Sequence, residues 1–362
     1  MSSEIKIKNF FENDKFPLVI AGPCSAESRE QVLETGRKLA KINRVKYFRA
    51  GIWKPRTRPD GFEGVGEKGL LWLNEMKAET GLKVCVEVAK PAHVEAAINT
   101  GVDMLWIGAR TTANPFSVQE IAGALRGCDI PVLVKNPLHP DLKLWIGALE
   151  RINKAGIDKL AAVHRGFYTY DNGPFRNLPM WEIPIELKRL VPDLPLFNDP
   201  SHISGRRELI FETAQKALDL AMDGLMIESH INPAEALTDA AQQLEPAALE
   251  KMLTDLILRK EYGSADFEVL LEKIRKEVDD IDSELLQILF RRMEKIKEIG
   301  HIKKENDITV LQIDRLRKMM KSRLKTGKEL GLDNKFVLKL LQLVHKESIQ
   351  IQTQIMNKEN EL

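Results

Sequence analysis

Two hydrophobic patterns divide the chain. In the first two thirds, short apolar runs recur at 18–21, 47–50, 84–88, 104–107, 132–134, 160–163, 194–197 and 225–227. Between most of them lie stretches with helical periodicity, such as 30–41 and 208–221. Continuous apolar runs this short suit strands buried on both faces, as parallel strands covered by helices are. Eight such strands alternating with helices over about 250 residues is the arithmetic of an α/β (β/α)8 TIM barrel. The alternative is a doubly wound open sheet, which is weakened because no G-x-G-x-x-G follows the first run.

The rest of the chain carries long helical stripes instead. Leu270, Ile274, Val278, Ile281, Leu285, Ile288, Ile296 and Ile299 form one apolar track along a helix predicted over about 266–305, roughly 60 Å long at ~1.5 Å per residue. A second helix is predicted over about 310–326, closed by Gly327. A third is predicted over about 334–356, with Asp333 or Asn334 as N-cap. All 17 Pro and all five Trp precede residue 247, so this segment has no helix breaker stronger than Gly. The expected organisation is a barrel over 1–258, a charged linker over 259–265 and an all-α three-helix domain over 266–362. A helix that long cannot bury its face within a hundred-residue monomer, so a helical dimer is expected.

Composition narrows the function classes. With 43% hydrophobic and 30% charged residues the chain can build a core, and no run of 18 apolar residues predicts a membrane span. Lys plus Arg number 54 against 53 for Asp plus Glu. That balance gives no global reason to expect nucleic acid, so any anion must be held by local clusters. Three Cys are not a disulfide framework. The start, MSSEIKIKNFFENDKFP, lacks an apolar signal core, and a cytoplasmic location is expected.

Barrel chemistry sits at the C-terminal ends of the strands. Reading the residues that follow each run gathers the cations Arg49, Lys54, Arg56, Arg110, Lys135, Arg165 and Arg206. Converging cations repel one another and lose hydration unless anions neutralise them, which points to an anionic, phosphorylated substrate with more than one anionic group. The same reading gathers Cys24, His202, Glu228 and Asp239 after the first, seventh and eighth runs, which are neighbours in a closed barrel. Thiolate, imidazole and two carboxylates suit a borderline divalent ion such as Mn, Fe, Co or Zn; a small buried Cys among unrelated polar loop residues is the competing account. Cys85 and Cys128 have no such company and read as packing residues.

The strings GPCS, FRAGIWKPRT, IGART, LVKNP, NDPSHISGRR and IESH resemble, in order, the 3-deoxy-D-arabino-heptulosonate 7-phosphate (DAHP) synthases of the barrel subfamily related to 3-deoxy-octulosonate 8-phosphate synthase. The resemblance implies condensation of phosphoenolpyruvate with erythrose 4-phosphate. It assigns Cys24, His202, Glu228 and Asp239 as metal ligands, with Mn ahead of the other candidates. It assigns Arg49, Lys54, Arg110, Lys135 and Arg165 to phosphoenolpyruvate, and Lys54, Pro55, Arg56 and Thr57 with Arg206 to the aldose phosphate. Lys54 is the candidate proton donor to the nascent alkoxide. The Pro55-Arg56 pair favours the four-carbon sugar over the five-carbon one.

In the helical segment, Arg292 and Lys303 interrupt the apolar stripe. They lie 11 residues apart, about 20° around the axis, and so share a face. Unpaired buried cations are costly, which implies an anionic guest; snorkelling side chains at a helical interface are the bland alternative. Ser348 and Gln352 lie at i, i+4 on the third helix. Residues 266–362 resemble the all-helical chorismate mutases, with Arg275, Arg292, Lys303, Arg315, Ser348 and Gln352 at matching positions and Arg292 and Lys303 as the catalytic cations. Arg275 points about 100° away from Arg292, as expected if a partner chain supplies it. The implied reaction, chorismate to prephenate, needs a held conformer and cations at the ether oxygen. Leu316 and Gln312 stand where relatives often carry carboxylates.

Two other readings stay open on sequence alone. One is a synthase whose helical domain only dimerises or regulates. The other is an aldolase that uses Lys135 as a Schiff base. Fusion of an entry enzyme to a late one suggests feedback by chorismate or prephenate bound among the helices.

Overall fold

The structure, a computed structural model, describes residues 5–10, 17–54, 61–171, 173–260 and 262–357. Each apolar run of the first two thirds is a strand: β1 Leu18–Gly22, β2 Val45–Ala50, β3 Lys83–Val88, β4 Met104–Ile107, β5 Val132–Lys135, β6 Leu160–His164, β7 Leu196–Asn198 and β8 Gly224–Glu228. Every strand pairs in parallel with the next, and β8 returns to β1 to close the barrel. The fold is therefore the (β/α)8 barrel and not the open sheet. β7 begins two residues later than its apolar run suggests, because Pro195 has no N–H for the ladder. The Pro195 carbonyl still accepts from Ala162 N at 2.9 Å.

Side chains of Ile20, Tyr47, Cys85, Met104, Trp106, Leu133, Phe197 and Met226 fill the barrel interior. A larger apolar layer lies between the strands and the surrounding helices. Cys85 is thus a packing residue, and Cys128 is half-buried with Sγ 3.9 Å from Ala124 O. The filled interior pushes chemistry to the strand ends, where Lys135, His164, Asn198 and Glu228 occupy the last strand positions and are all buried.

The chain forms two compact units, Met1–Glu261 and Tyr262–Leu362. The second unit holds three long helices, Ala265–Glu305, Ile313–Glu329 and Asn334–Asn357. Ser264 caps the first, accepting from Phe267 N at 3.3 Å. Asp333 starts the third, its Oδ1 accepting from Phe336 N at 2.8 Å. The second helix corrects the sequence reading. It runs through Gly327, which is buried, and ends at Leu330 ahead of Gly331 in the left-handed region (φ 78°). Gly327 serves helix packing instead of termination, since a Cβ there would stand 2.8 Å from Val337 Cγ2 on the third helix.

Only part of the first helix packs within the chain. Near its C-terminal end, Gly300 is buried and lies against Ile355 and Gln352. Further back, Leu270, Ile274, Val278, Ile281, Leu285 and Ile288 are each about half exposed. Among the described residues no helix is long and apolar enough to cross a membrane.

Gly327→Ala should lower the stability of the helical unit by about 1–3 kcal/mol through overpacking against Val337. Amide exchange along 313–357 should accelerate while the barrel strands stay protected.

Candidate active site

The end of β1 sets the first part of the site. Gly22 (φ 155°) lies so close to the β2 backbone that a side chain would collide with the Arg49 carbonyl. This approach lets the Cys24 carbonyl accept from Gly51 N at 3.1 Å and from Arg49 Nη2 at 3.1 Å. The Cys24 N–H donates to Gln243 Oε1 at 2.9 Å. Its Sγ is left 3.4 Å from Asp239 Oδ2 and 3.2 Å from Lys54 Nζ.

Cys24, Glu228 and Asp239 offer ligand atoms that all lie within 4.8 Å of one another, a group that could hold a metal ion. His202 Nε2 stands beside them, 3.6 Å from Glu228 Oε1 and 4.0 Å from Asp239 Oδ2. The donor set fits a cation. Burial pushes the Cys24 thiol up to about 12, so without a positive partner it remains an unremarkable buried thiol. A bound metal would strip that proton. Burial also pushes His202 below its ordinary value, outweighing the pull of Asp199 and Glu228. Burial opposes the charges of Glu228 and Asp239, yet both carboxyls are held low, Glu228 by His202 and Arg49, Asp239 by Arg176 and His202.

Several supporting residues escaped the sequence reading. Asp239 adopts the left-handed conformation (φ 51°), which costs about 1–2 kcal/mol for a non-glycine residue. Arg176 Nη1 holds it there at 3.0 Å and also donates to Gln242 Oε1 at 2.6 Å. Gln242 Nε2 in turn donates to Glu228 Oε2 at 2.7 Å. On the other side, fully buried Asp199 brings Oδ2 within 2.7 Å of His202 Nδ1 and 2.6 Å of Lys135 Nζ. Burial works against that carboxylate, but His202 and Lys135 outweigh it and hold it well below the usual range. Asp199 therefore turns Nε2 of His202 toward the carboxylates, as outer partners of metal-binding histidines do. The spacing Asp-x-x-His at the end of β7 was the available signal.

The cations form a floor and a rim. Arg49, Lys135 and Arg165 are buried on the floor. Arg49 Nη1 meets Glu228 Oε1 at 3.3 Å. Arg165 Nη1 donates to Asn177 Oδ1 at 2.7 Å, and its backbone N–H is fixed by Asn136 Oδ1 at 2.7 Å. Burial, with Arg176 and Arg110 nearby, pushes Arg165 down to about 10, a sign of positive charge in need of an anion. Lys54 is half-buried at the rim, and Arg110 is exposed. Arg206 is exposed too, while its neighbour Arg207 bonds the carbonyls of Gln243 and Ala240 at 2.7 Å each. Pro55, Arg56 and Thr57 lie outside the described residues.

In the helical unit, Arg292 Nη1 donates to Ser348 Oγ at 2.7 Å, and Gln352 lies one turn further on. Burial pushes the Arg292 and Lys303 charges down from their ordinary values. Lys303 Nζ rests on Val310 O at 2.7 Å. His345, which the sequence reading passed over, has a buried Nε2 with no hydrogen-bond partner among the described residues and feels the Arg292 charge. Gln352 Oε1 is likewise unsatisfied. Arg275, 3.7 Å from Glu272, and Arg315 are exposed and are not gathered to this pocket within one chain.

A closed (β/α)8 barrel with buried cations and a thiol–carboxylate cluster at its strand ends defines an enzyme acting on small anionic substrates. Sequence comparison makes the assignment specific. A model of the DAHP synthetase I family matches residues 4–264, and one of chorismate mutase type II matches residues 274–353. The phospho-2-dehydro-3-deoxyheptonate aldolase of Thermotoga maritima is 32% identical over 238 residues, 66% of this chain and 68% of that protein. A 2-dehydro-3-deoxyphosphooctonate aldolase of Campylobacter jejuni is 25% identical over 264 residues, 66% of this chain and 95% of that protein. The crystal structure of the Thermotoga DAHP synthase superposes with a TM-score of 0.59 at 29% identity, over 66% of this chain and 67% of that one. The chain belongs to the DAHP synthetase I family, with a chorismate mutase domain of type II fused behind it. DAHP synthesis, a step of the shikimate pathway, is the activity of the first domain, and the second implies chorismate mutase activity.

Asp199→Asn should leave Lys135 unpaired and His202 loosely held. The expected loss is about 3–5 kcal/mol of stability and roughly 10–100-fold in divalent-metal affinity, read by thermal melting and by calorimetric metal titration of the full chain.

Proposed function

We propose that the floor cations Arg49, Lys135 and Arg165, with Lys54 and Arg110 at the rim, bind phosphoenolpyruvate. Arg206, with Lys54, Pro55, Arg56 and Thr57, takes the phosphate of erythrose 4-phosphate. The observation that carries this reading is the meeting of Cys24, Glu228 and Asp239 beside two buried cations, Arg49 and Lys135. Cys24, His202, Glu228 and Asp239 would hold a divalent ion, with Mn the first candidate, which supplies Lewis acidity toward the aldehyde oxygen. The cations hold two mutually repelling substrates side by side, so that C3 of phosphoenolpyruvate faces the aldehyde carbon. Lys54 gives a proton to the alkoxide that forms, water adds at C2, and phosphate leaves. Lys135 is committed to a buried ion pair with Asp199, which disfavours its use as a Schiff-base amine.

The second activity would use Arg292 and Lys303 as the cations that stabilise charge on the ether oxygen of chorismate, with Ser348 and Gln352 orienting it. Arg275, and with it a complete pocket, would come from a second copy. The half-exposed stripe of the first long helix supports such a dimer. The boundary between the domains is placed at 259–265, short enough for ligand bound among the helices to influence synthesis.

The assay uses the full chain with phosphoenolpyruvate and either erythrose 4-phosphate or a five-carbon sugar phosphate. Activity should require the four-carbon sugar, vanish on chelation and return with divalent metal. Borohydride should trap no adduct, and prephenate should lower the rate. Arg292→Ala should cut prephenate formation about 10²–10³-fold and leave basal DAHP synthesis intact. Retained mutase activity in that variant would remove the helical site as drawn.

Light scattering should give at least a dimer. Ile281→Glu, on the half-exposed stripe, should shift the population to monomer and lower mutase activity more than synthase activity. A wild-type monomer with full mutase activity would contradict the shared pocket.

A further inference from the structure

Two of the buried cations of the floor meet the same aromatic ring. Trp106 stands on β4 with its indole inside the barrel, 1% exposed. Arg49 Cζ, from β2, lies 4.8 Å from the ring centroid, and Lys135 Nζ, from β5, lies 5.8 Å from it. Each cation also has one buried carboxylate: Glu228 for Arg49, Asp199 for Lys135. The Arg49 Nε makes no hydrogen bond, so its carboxylate does not satisfy the guanidinium fully.

The remaining attraction comes from a group without net charge. An indole face draws cations through its quadrupole, most strongly where water is excluded, and a guanidinium stacks well on it. A further carboxylate at this position would hold the cations equally close but cancel the positive potential that an anionic substrate requires. An aliphatic side chain would leave only the two carboxylates to oppose their mutual repulsion. The indole holds Arg49 and Lys135 together and preserves their charge for the ligand.

We propose that Trp106 is a positioning residue for phosphoenolpyruvate: its π face fixes the separation of Arg49 and Lys135 and so sets affinity for the enol phosphate. This rests on the reading of the floor as the phosphoenolpyruvate subsite. Trp106 acts through the two cations and is not itself a catalytic group.

Trp106→Phe and Trp106→Met both leave space in the barrel, but only the first retains an aromatic face. Calorimetric titration of phosphoenolpyruvate onto the full chain should show a Kd about tenfold or more higher in Trp106→Met, and within about threefold of wild type in Trp106→Phe. The KM for erythrose 4-phosphate and the affinity for divalent metal should change little in either. A merely structural role predicts equal losses in the two variants and overturns the proposal, as does an unchanged Kd in both. Should Trp106→Met fail to fold, biosynthetic replacement of tryptophan by mono-, di- and trifluorinated analogues keeps the shape and weakens the π face stepwise. The Kd should rise with each fluorine in the wild type and stay level in the Trp106→Phe background; a flat series in the wild type overturns the proposal. If the wild type does not bind phosphoenolpyruvate at all, the subsite assignment itself has failed, a result distinct from a flat series on a binding protein.

Discussion

The contact between Arg49 and Glu228, 3.3 Å apart with both side chains essentially without solvent, ties the two halves of the barrel site together. Neither charge could be buried alone without a penalty of several kcal/mol. Arg49 belongs to the cationic floor and Glu228 to the group able to hold a cation, so each half exists only because the other offsets it. The same rule links Lys135 to Asp199 and thence to His202, and Arg176 to Asp239. Charge in this barrel is balanced locally, Arg49 on β2 against Glu228 on β8 and Lys135 on β5 against Asp199 after β7, each pair reaching across one intervening strand.

The helical unit handles charge differently. Among the described residues Arg292 and Lys303 meet neutral groups, chiefly the Ser348 hydroxyl and the Val310 carbonyl, and burial works against both. Two further polar atoms nearby, His345 Nε2 and Gln352 Oε1, lack partners. Buried cations and polar atoms of this kind cost stability unless a partner satisfies them. Few groups besides cations are needed for a rearrangement without nucleophile or base, which fits a site where Leu316 and Gln312 replace acidic positions.

Sequence legibility followed the range of the interactions. The eight strands were readable because a doubly buried parallel strand announces itself in four or five consecutive residues. The metal-type donors were readable because barrel closure makes β1, β7 and β8 neighbours, which carries Cys24, His202, Glu228 and Asp239 toward one point once eight strands are counted. Gln242 was not, since an amide beside a ligand has no periodic signature, and Asp199 was signalled only by its place three residues before His202. Gly327 was misread for a related reason: the same residue ends helices and admits close neighbours, and only Val337 in three dimensions decides between them. Residues 55–57 lie outside the described residues.

Trp106 shows why a floor of cations is not simply a sum of charges. In sequence it is one more apolar residue in Met-Leu-Trp-Ile, a run that any barrel strand could carry. In the fold its ring meets two cations that each already have a carboxylate. If both carboxylates were moved closer, the floor would be more stable and less able to bind an acid, because binding draws on the potential that the pairs leave uncancelled. A neutral ring in contact with both relieves repulsion and leaves that potential in place. Stability and affinity therefore make opposing demands on the same few atoms, and polarity without charge is the means by which one strand residue can serve both.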